Sequence, residues 1–516
     1  MSKTIIIIII GAGLAGLSAA LQAAENGCNV KLVSSLPSER AQSVMAEGGI
    51  NAALNTKDEN DSPEEHFTDT IKAACGLADP NAVWGMTQAA PELVHWLLKL
   101  GVKFNMSGYD DVDLRNFGGQ KKKRTAFAQS DTGKQIMTAM IDAVRRKEAS
   151  GMVERFSHHS FLTLRLCGNI CCGCVIRDEY SQETVELPGD AVIVATGGMH
   201  GLFGNTTGSL SNTGEVTAEL FRLGVPLANG EMIQYHPTTV KCGGKRMLIS
   251  EAARGEGGRL FAMKDGKQWY FMEEKYPELG NLMPRDITAR EIWKVSHESE
   301  VFLDMTEISE EIISNKLSGL ADDCMTYLHK DIRKEPVSVL PGIHYFMGGI
   351  LVDEQHRTPI QNLCAAGECC AQYHGANRLG GNSLLGALYG GRVAAKSACE
   401  QADVVDLSCA TQIDFPPASQ ISEIKQLNKV MQETMGVVRN ENTLLNGIQT
   451  VQALTGNLPL LGMAVLKSAL ARKESRGAHW REDYPKSNDD DYLKTTVARF
   501  DGKQIQISFV PVPERR

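Results

Sequence analysis

The clearest pattern in the chain is an apolar run near its start, followed by closely spaced glycines. Ile5–Ile10 is a β-branched stretch typical of a buried parallel strand, and a stretch rich in Ala and Leu extends to about Asn26. Between them lies Gly11-Ala12-Gly13-Leu14-Ala15-Gly16, and Asn29–Ser34 has the pattern of a second strand. This order predicts a Rossmann-like unit that binds a pyrophosphate at a helix N-terminus. Ser34 stands where an acidic residue is expected, which weakens an NAD interpretation more than an FAD one.

Two further apolar segments end in small residues, far from the first in sequence. Ala191–Gly198 ends in Ala-Thr-Gly-Gly, and Cys364–Glu368 ends in a turn that carries a carboxylate. Three strand ends that face one nucleotide predict a single nucleotide-binding domain with insertions. The expected fold class is α/β, with a Rossmann-like FAD-binding domain interrupted by an α+β capping domain and followed by a C-terminal helical domain.

Changes in these patterns give the expected domain boundaries. Residues 1–233 and 345–408 should form the discontinuous FAD-binding domain, and residues 234–344 the capping domain. Residues 409–482 should form the helical domain, because Ser422–Arg476 has helical periodicity. Residues 483–516 should form a C-terminal tail with a short pair of strands.

Composition narrows the class of protein. The chain has 516 residues, 42% of them hydrophobic, and a net charge of −9, which argues against a nucleic-acid partner. The apolar stretch Ile5–Ala24 is interrupted by glycines, and no other segment has about eighteen unbroken apolar residues, so no membrane span is expected. The thirteen cysteines lack metal-ligand or ferredoxin spacing, so no metal site is expected either. We therefore expect a cytoplasmic protein that contacts a membrane only through a partner.

The most informative polar segment is His374–Ser383, which follows Cys364–Glu368 closely. It places a His and an Arg among glycines, in a composition typical of a loop that binds an anion. The carboxylate of Glu368, at the end of the preceding strand, would face the cofactor. The pair indicates a flavin site with a carboxylate substrate beside it.

Four other segments concentrate polar groups. Gln234–Thr238 holds a His before a Pro, in extended backbone, and Ser250–Gly258 places Glu251 and Arg254 on one face of a helical turn. Pro284-Arg285-Asp286 begins a helix, and His344–Gly349 sets a His before a glycine pair. Each segment alone is more often structural, but their occurrence together with the anion-binding loop favours a catalytic site.

With these segments the sequence resembles the flavoprotein subunits of succinate dehydrogenase and fumarate reductase. The resemblance extends from Ile5 to Arg472–His479 and the Asp483-Tyr484-Pro485 after it. Further matching blocks, in family order, are Ala46-Glu47-Gly48-Gly49, Phe117-Gly118-Gly119, Arg124–Ala128 and Asp131-Thr132-Gly133.

The resemblance implies a reaction and a set of residues. Hydride would pass between flavin N5 and a four-carbon dicarboxylate, interconverting fumarate and succinate. Arg285 would transfer the proton, and Glu251 with Arg254 would relay it. The substrate ligands implied by the family are His236, Ser250, His344 and Arg378, with Phe117 packing against the substrate.

The resemblance also implies FAD as the cofactor. The positions that match its ligands in the family are Gly11, Ala12, Gly13, Leu14, Ala15, Gly16, Ser34, Ser43, Ala46, Glu47, Gly48, Gly49, Ala195, Thr196, Gly197, Glu215, Glu368, Ser383 and Leu384.

One departure from the family concerns how the flavin is attached. The family usually bonds FAD covalently to the His of an Arg-Ser-His-(Thr/Ser)-Val stretch, whereas Arg40-Ala41-Gln42-Ser43-Val44 stands here. An amide cannot form that bond, so non-covalent FAD is expected. Loss of the substituent should lower the flavin potential and favour fumarate reduction. Alternatively, Gln42 only hydrogen-bonds the flavin and the direction is unaffected.

A second departure concerns partners. The helical region after Cys409 is shorter than the family normally carries, and in the family that region helps to hold an iron–sulfur subunit. Because this chain lacks a cluster-binding pattern, electrons should come from such a subunit, and through it from a membrane anchor. The family-like Arg472–His479 block suggests that the partner surface is at least partly kept.

Three alternatives stay open. L-aspartate oxidase shares the motifs but needs an acidic group for the substrate amine, and Phe117 offers no charge. A reductase of another unsaturated carboxylic acid could use the same scaffold. A flavin-binding electron-transfer or assembly protein would have lost substrate-binding positions, and Arg285, Arg378, His236 and His344 are all present.

Overall fold

The computed structural model describes residues 4–108, 111–402, 415 and 420–516. Its strands are β1 (Ile6–Ile10), β2 (Asn29–Ser34), β3 (Ile50–Asn51), β4 (Leu114–Arg115), β5 (Thr125–Ala126), β6 (Val153–Ser157), β7 (His159–Cys167), β8 (Ile170–Asp178), β9 (Thr184–Pro188), β10 (Ala191–Val194), β11 (Leu227–Ala228), β12 (Ile233–Cys242), β13 (Lys245–Leu248), β14 (Arg259–Lys264), β15 (Lys267–Trp269), β16 (Val301–Asp304), β17 (Val337–Ser338), β18 (Leu340–Phe346), β19 (Gly349–Leu351), β20 (Leu363–Ala365), β21 (Cys370–Ala371), β22 (Lys494–Phe500) and β23 (Ile505–Pro511).

The α-helices surround and connect these strands. They are α1 (Leu14–Glu25), α2 (Pro63–Ala73), α3 (Pro80–Leu100), α4 (Thr132–Ala149), α5 (Glu215–Arg222), α6 (Glu251–Gly255), α7 (Phe271–Lys275), α8 (Arg285–Val295), α9 (Glu310–Lys316), α10 (Ser318–Asp323), α11 (Asn382–Gln401), α12 (Ile421–Thr434), α13 (Glu441–Val451), α14 (Asn457–Ala471) and α15 (Asp489–Tyr492).

A parallel sheet in the order β20-β10-β1-β2-β6 forms the centre of the molecule. In its register Ile10 pairs with Val194 and Val194 with Ala365, so β1, β10 and β20 end side by side. The three strand ends predicted to face one nucleotide therefore lie at one edge of one sheet. The predicted α/β fold class is confirmed.

The turn after β1 needs glycine for steric reasons. Gly11 has φ +111, and a Cβ at this position would lie 2.2 Å from the carbonyl oxygen of Ala195. A Cβ on Gly16 would lie 1.8 Å from the carbonyl oxygen of Gly11. Without side chains at either position, α1 packs tightly behind the turn and its N-terminus faces the ends of the strands.

The segment expected to be the cap contains two antiparallel sheets and the helices α6 to α10. The sheets have the orders β13-β12-β18 and β15-β14-β16-β17. A separate apolar cluster that includes Ile249, Leu260, Ile292 and Leu303 forms its core. Phe117, from the N-terminal part of the chain, packs into this cluster and joins the cap to the rest of the molecule.

The C-terminal part contains the helices α12, α13 and α14, which begin one residue before the predicted helical range Ser422–Arg476 and end within it. The expected boundary between residues 408 and 409 lies outside the described residues. The predicted strand pair of the tail is β22–β23, and it extends a sheet in the order β21-β19-β11-β22-β23. The tail therefore shares a sheet with strands that flank the cap. Within the described residues, no helix combines the length and the apolar character that crossing a bilayer requires.

Candidate active site

A cavity of about 550 Å³ opens at the ends of β1, β10 and β20 and extends to the underside of the cap. The positions predicted from sequence that line it are Gly11, Ala12, Gly13, Leu14, Ala15, Ser34, Ser43, Ala46, Glu47, Gly48, Gly49, Phe117, Ala195, Thr196, Gly197, Glu215, His236, Ser250, Glu251, Arg285, His344, Glu368, Arg378, Ser383 and Leu384. Gly16 lies behind the turn, and Arg254 lies behind Glu251.

The nucleotide half of the cavity suits an anion. The helices α1 and α11 both start there, from Gly13 and Gly381, and neither N-cap residue supplies a side-chain hydrogen bond. The first N–H groups, those of Leu14 and Asn382, already donate to Ser43 Oγ and to the carbonyl oxygen of Leu379, each over 3.3 Å. The next N–H groups of each first turn and the positive dipole ends can bind phosphate. The buried hydroxyl of Ser34 has no hydrogen-bond partner among the residues that the structure describes, and it lines the same cavity, as a ribose ligand would. The residues present thus fit a dinucleotide such as FAD.

Gln42 lines the cavity where the family carries the flavin-bonding histidine. Its Oε1 accepts a hydrogen bond of 2.6 Å from the backbone N–H of Ser209. The side chain is therefore oriented by a loop that the sequence did not connect to it.

The surroundings of Glu47 keep its carboxyl group uncharged at neutral pH. Burial raises its pKa to about 8; the charge of Asp323 adds to this effect and that of Arg115 opposes it. Arg115 also donates to the backbone carbonyl oxygens of Glu47 and Gly48, which fixes this segment against the cavity. Below about pH 8 this site therefore presents an uncharged carboxyl group.

Under the cap, a carboxylate lies between two guanidinium groups. The Nη2 and Nε atoms of Arg285 donate to Glu251 Oε2 over 2.6 and 2.8 Å, and Arg254 Nη2 donates to Glu251 Oε1 over 3.3 Å. All three side chains are buried. Burial by itself would raise the pKa of Glu251, but the charges of Arg285 and Arg254 outweigh it and the pKa is lowered. The residues predicted to relay a proton thus form one continuous hydrogen-bonded chain.

Beside the hydrogen-bonded relay Arg285–Glu251–Arg254 lies a surface formed by a guanidinium group and two imidazole rings. Arg378 is buried, and its guanidinium carbon is 4.3 Å from the ring centroid of Tyr345. Within the described part of the chain its Nε has no hydrogen-bond partner. The rings of His236 and His344 meet edge to face at 5.1 Å. Burial, followed by the charge of Arg285, holds the pKa of both histidines well below the ordinary value, so both are neutral at pH 7.

Sequence reasoning missed several residues that orient this surface. Gln234 accepts from Arg285 Nη1 over 3.1 Å and donates to the backbone oxygen of Arg378 over 2.9 Å, so it connects the two arginines. The sequence did offer a sign of the role of Gln234, because this residue lies two positions before His236. Thr207 hydrogen-bonds His344 Nδ1 at 2.8 Å, and only the fold reveals this contact.

The acidic Asp323 and the neighbouring Tyr327 also line the cavity. They come from the last helical segment of the cap, where no motif marked them. Their position depends on how the cap folds over the sheet.

Most of the Arg472–His479 block, which was expected to keep part of a partner surface, lies inside the chain, while Lys473 is exposed. Arg472, Glu474 and His479 are fully buried within the chain itself, and Arg476 is 8% exposed. Arg472 pairs with Glu231 and Glu474, both at 2.7 Å. These charged side chains can lie in the interior because each is paired with an opposite charge of the same chain.

Comparison with known proteins agrees with this geometry. The family model of the FAD binding domain matches residues 7–384, and that of the fumarate reductase flavoprotein C-terminus matches residues 454–515. The succinate dehydrogenase flavoprotein subunit of Bacillus subtilis is 38% identical, covering 99% of this chain and 98% of the relative. The 8-methylmenaquinol:fumarate reductase flavoprotein subunit of Wolinella succinogenes is 32% identical, covering 99% and 92%.

Among solved structures, an E. coli quinol fumarate reductase that carries a mutation in its FrdA chain superposes with a TM-score of 0.90 at 27% identity. The match covers 99% of this chain and 97% of that one. An adenylylsulfate reductase from Archaeoglobus fulgidus, at 18% identity and a TM-score of 0.78, shares the fold. The chain therefore belongs to the family of succinate dehydrogenase and fumarate reductase flavoprotein subunits, which are FAD-dependent oxidoreductases acting on CH–CH groups.

Proposed function

We propose that this chain interconverts fumarate and succinate, with Arg285 transferring the proton. The observation that carries the proposal is the Arg285–Glu251–Arg254 chain, which reaches the cavity beside Arg378, His236 and His344. Reduction of an activated C=C bond requires a cofactor that donates hydride and a proton donor that is aligned by its surroundings. When bound, FAD would supply the hydride chemistry.

The two carboxylates of the substrate would be held at opposite ends of this surface. Arg378 and His344 would bind one, and His236 and Ser250 the other. Charge-assisted bonds of this kind contribute about 1.5–3 kcal/mol each. The hydroxyl of Thr207 can donate to His344 Nδ1, which leaves the Nε2 hydrogen for a substrate oxygen. Neutral histidines can donate in this way without losing a proton to the carboxylate.

Arg285 would give its proton to the carbon next to the one that accepts hydride. A guanidinium is a poor acid in water, so the step requires the water-excluding site in which this side chain is buried. The anionic Glu251 would hold Arg285 in position. After Arg285 has given up its proton, Glu251 would accept a proton from Arg254 and pass it to Arg285, and Arg254 would regain its proton from water. Positive groups on both sides of the substrate would stabilise the charge that develops in the transition state.

The proposal includes non-covalent FAD and a bias towards fumarate reduction. Gln42 supports both, since its amide cannot bond the flavin and already accepts from Ser209. After acid precipitation the yellow colour should remain in the supernatant, and a yellow pellet would refute non-covalent binding. With matched dyes, fumarate reduction should be faster than succinate oxidation, and the opposite order would overturn the directional claim.

The proposal also includes an iron–sulfur partner subunit and, through it, peripheral attachment to the inner face of the cell membrane. The support is family membership, since similar chains include a subunit of an 8-methylmenaquinol:fumarate reductase. Purification at native expression should yield the chain in a larger assembly that contains iron and acid-labile sulfide. A strictly monomeric chain would count against an obligate partner.

The substrate is best tested by mixing chemically reduced enzyme with candidate oxidants in an anaerobic stopped-flow instrument. We expect fumarate to reoxidise the flavin and aspartate to leave it unchanged in either redox state. Peroxide release on adding aspartate to the oxidised enzyme would instead indicate L-aspartate oxidase. Fast reoxidation only by a different unsaturated acid would indicate a reductase of that acid.

A further inference from the structure

The Arg472–His479 block ends in a tight turn directly behind the loop that carries Arg378. Arg476 and His479 exchange backbone hydrogen bonds of 2.8 and 3.0 Å, which closes the turn. At its tip the backbone N–H of Ala478 donates to the carbonyl oxygen of Ala376 over 2.9 Å. Gly477 has φ +55, and a Cβ there would lie 2.5 Å from the same oxygen. The turn and the substrate loop are therefore in backbone contact.

Ala376 of the substrate loop is held from its other side by the residues that follow α2. The backbone N–H of Ala376 donates to Ala74 over 3.0 Å, and Arg476 Nη1 donates to the next carbonyl oxygen, that of Cys75, over 3.2 Å. The turn, the substrate loop and the end of α2 thus form a closed set of contacts. This set lies two residues from Arg378.

The turn also contacts the helix that begins with the proposed proton donor. The ring of Trp480, which follows the turn, lies 4.0 Å from the guanidinium carbon of Arg290 on α8. On the same helix, Asp286 accepts from Asn377 of the substrate loop over 3.1 Å. Arg285 is the first residue of α8, so one short C-terminal segment contacts both elements that supply the active-site arginines.

Its own anchoring makes the turn rigid. Arg476 donates twice to Glu474, over 2.8 and 2.9 Å, and once to Asp489 over 2.5 Å. Glu474 in turn accepts from Arg472 over 2.7 Å. Buried ion networks of this kind fix geometry more than they add stability.

We propose that the segment Arg476–Trp480 is a positioning element that sets the distance between Arg378 and Arg285. It contacts the substrate loop through Ala376 and the cap through Arg290 on α8. The inference rests on the proposed function, because only a reaction that uses both arginines together depends on their separation. Misplacement of about 1 Å can cost about 100-fold in rate, so small shifts of either element should be visible in kinetics.

The test uses the full-length holoenzyme with Arg290→Gln and Trp480→Ala, two partly exposed positions, singly and together. We expect each to lower kcat/KM for fumarate about 10- to 100-fold, mainly through kcat. The double variant should be no worse than the poorer single variant, since both break one contact. Arg290→Lys, which keeps a cation over the ring, should recover most of the loss.

Two matched controls separate positioning from general stability. Lys294→Gln removes an ion pair with Glu291 on the same helix, and Arg481→Lys disturbs the pair between the buried Arg481 and the exposed Asp483 in the same C-terminal segment. Both should lower Tm without changing kcat or KM more than about two-fold. Unchanged kinetics in Arg290→Gln and Trp480→Ala, or kinetic losses equal to those of the controls, would overturn the inference. If the proposed function itself is wrong, the wild type will already fail to reoxidise its flavin with fumarate.

Discussion

At the scale of single residues, Gln42 stands where the resemblance to the family predicts a flavin-bonding histidine. It lies in the cavity, it cannot form a covalent flavin bond, and it is oriented by Ser209. A single side chain would then determine both how FAD is retained and the potential at which it works. The pKa of Glu47, about 8, is a second property of one residue that can be measured directly.

Gln42→His should restore covalent attachment. We expect most of the flavin to remain in the acid-precipitated pellet and to fluoresce with the protein band on a denaturing gel. The flavin potential should rise and the ratio of succinate oxidation to fumarate reduction should increase. Gln42→Ala serves as the control and should release its FAD completely. Complete release from Gln42→His would mean that this side chain does not face the flavin.

Glu47→Gln should flatten the pH dependence of stability of the flavin-free protein. The pKa of Glu47 is raised in the folded state, so its stabilising contribution is fully present below the ordinary value of 4.5 and declines as pH rises towards 8. Between about pH 5 and 8 the Tm of the wild type should therefore fall more than that of the variant. The exposed Glu278→Gln should follow the wild type. Parallel curves for Glu47→Gln and wild type would contradict the raised pKa.

At the scale of elements, the site depends on two helices that start at the cavity and pack against each other. The hydroxyl of Ser18 on α1 donates to the carbonyl oxygen of Leu388 on α11 over 2.6 Å. A Cβ on Gly391 would lie 2.3 Å from the carbonyl oxygen of Ala15. The distance between the helices is thus fixed by a glycine, and with it the relative position of two anion-binding N-termini.

Gly391→Ala should push α11 away from α1 and weaken FAD retention. Overpacking of this kind typically costs about 1–3 kcal/mol of stability, and here it also displaces Ser383 and Leu384 at the cavity. The measurement is the FAD content after gel filtration together with Tm. Gly462→Ala on α14 is the control, because its Cβ would meet only side chains, the nearest at 3.1 Å. Full FAD retention in Gly391→Ala would show that the spacing is not critical.

At the scale of the whole molecule, the sequence predicted what local pattern determines. The strand–turn–helix–strand unit, the three cofactor-facing strand ends and the helical C-terminal region all follow from periodicity and glycine spacing. The sequence could not predict contacts between distant segments, such as Thr207 with His344 or Gln234 between two arginines.

The Arg472–His479 block shows most clearly that burial cannot be predicted from local sequence. Charged residues predict an exposed surface unless their partners are known, and those partners include Glu231, which lies far away in the sequence. The tail gives a similar case, because its strand pair was predictable but its pairing with β11 was not. Burial is a property of the assembled fold, and local sequence determines it poorly.

The measurement that tests the central claim most directly is single-turnover oxidation of reduced flavin by fumarate in the wild type and in Arg285→Gln. We predict that the wild type yields one succinate per flavin and that the variant reacts about 10²- to 10⁴-fold more slowly, the usual contribution of a proton donor. Fumarate should still bind the variant, as shown by its saturation curve. An Arg285→Gln enzyme that reacts as fast as wild type, or a wild type that fumarate does not reoxidise, would contradict the account.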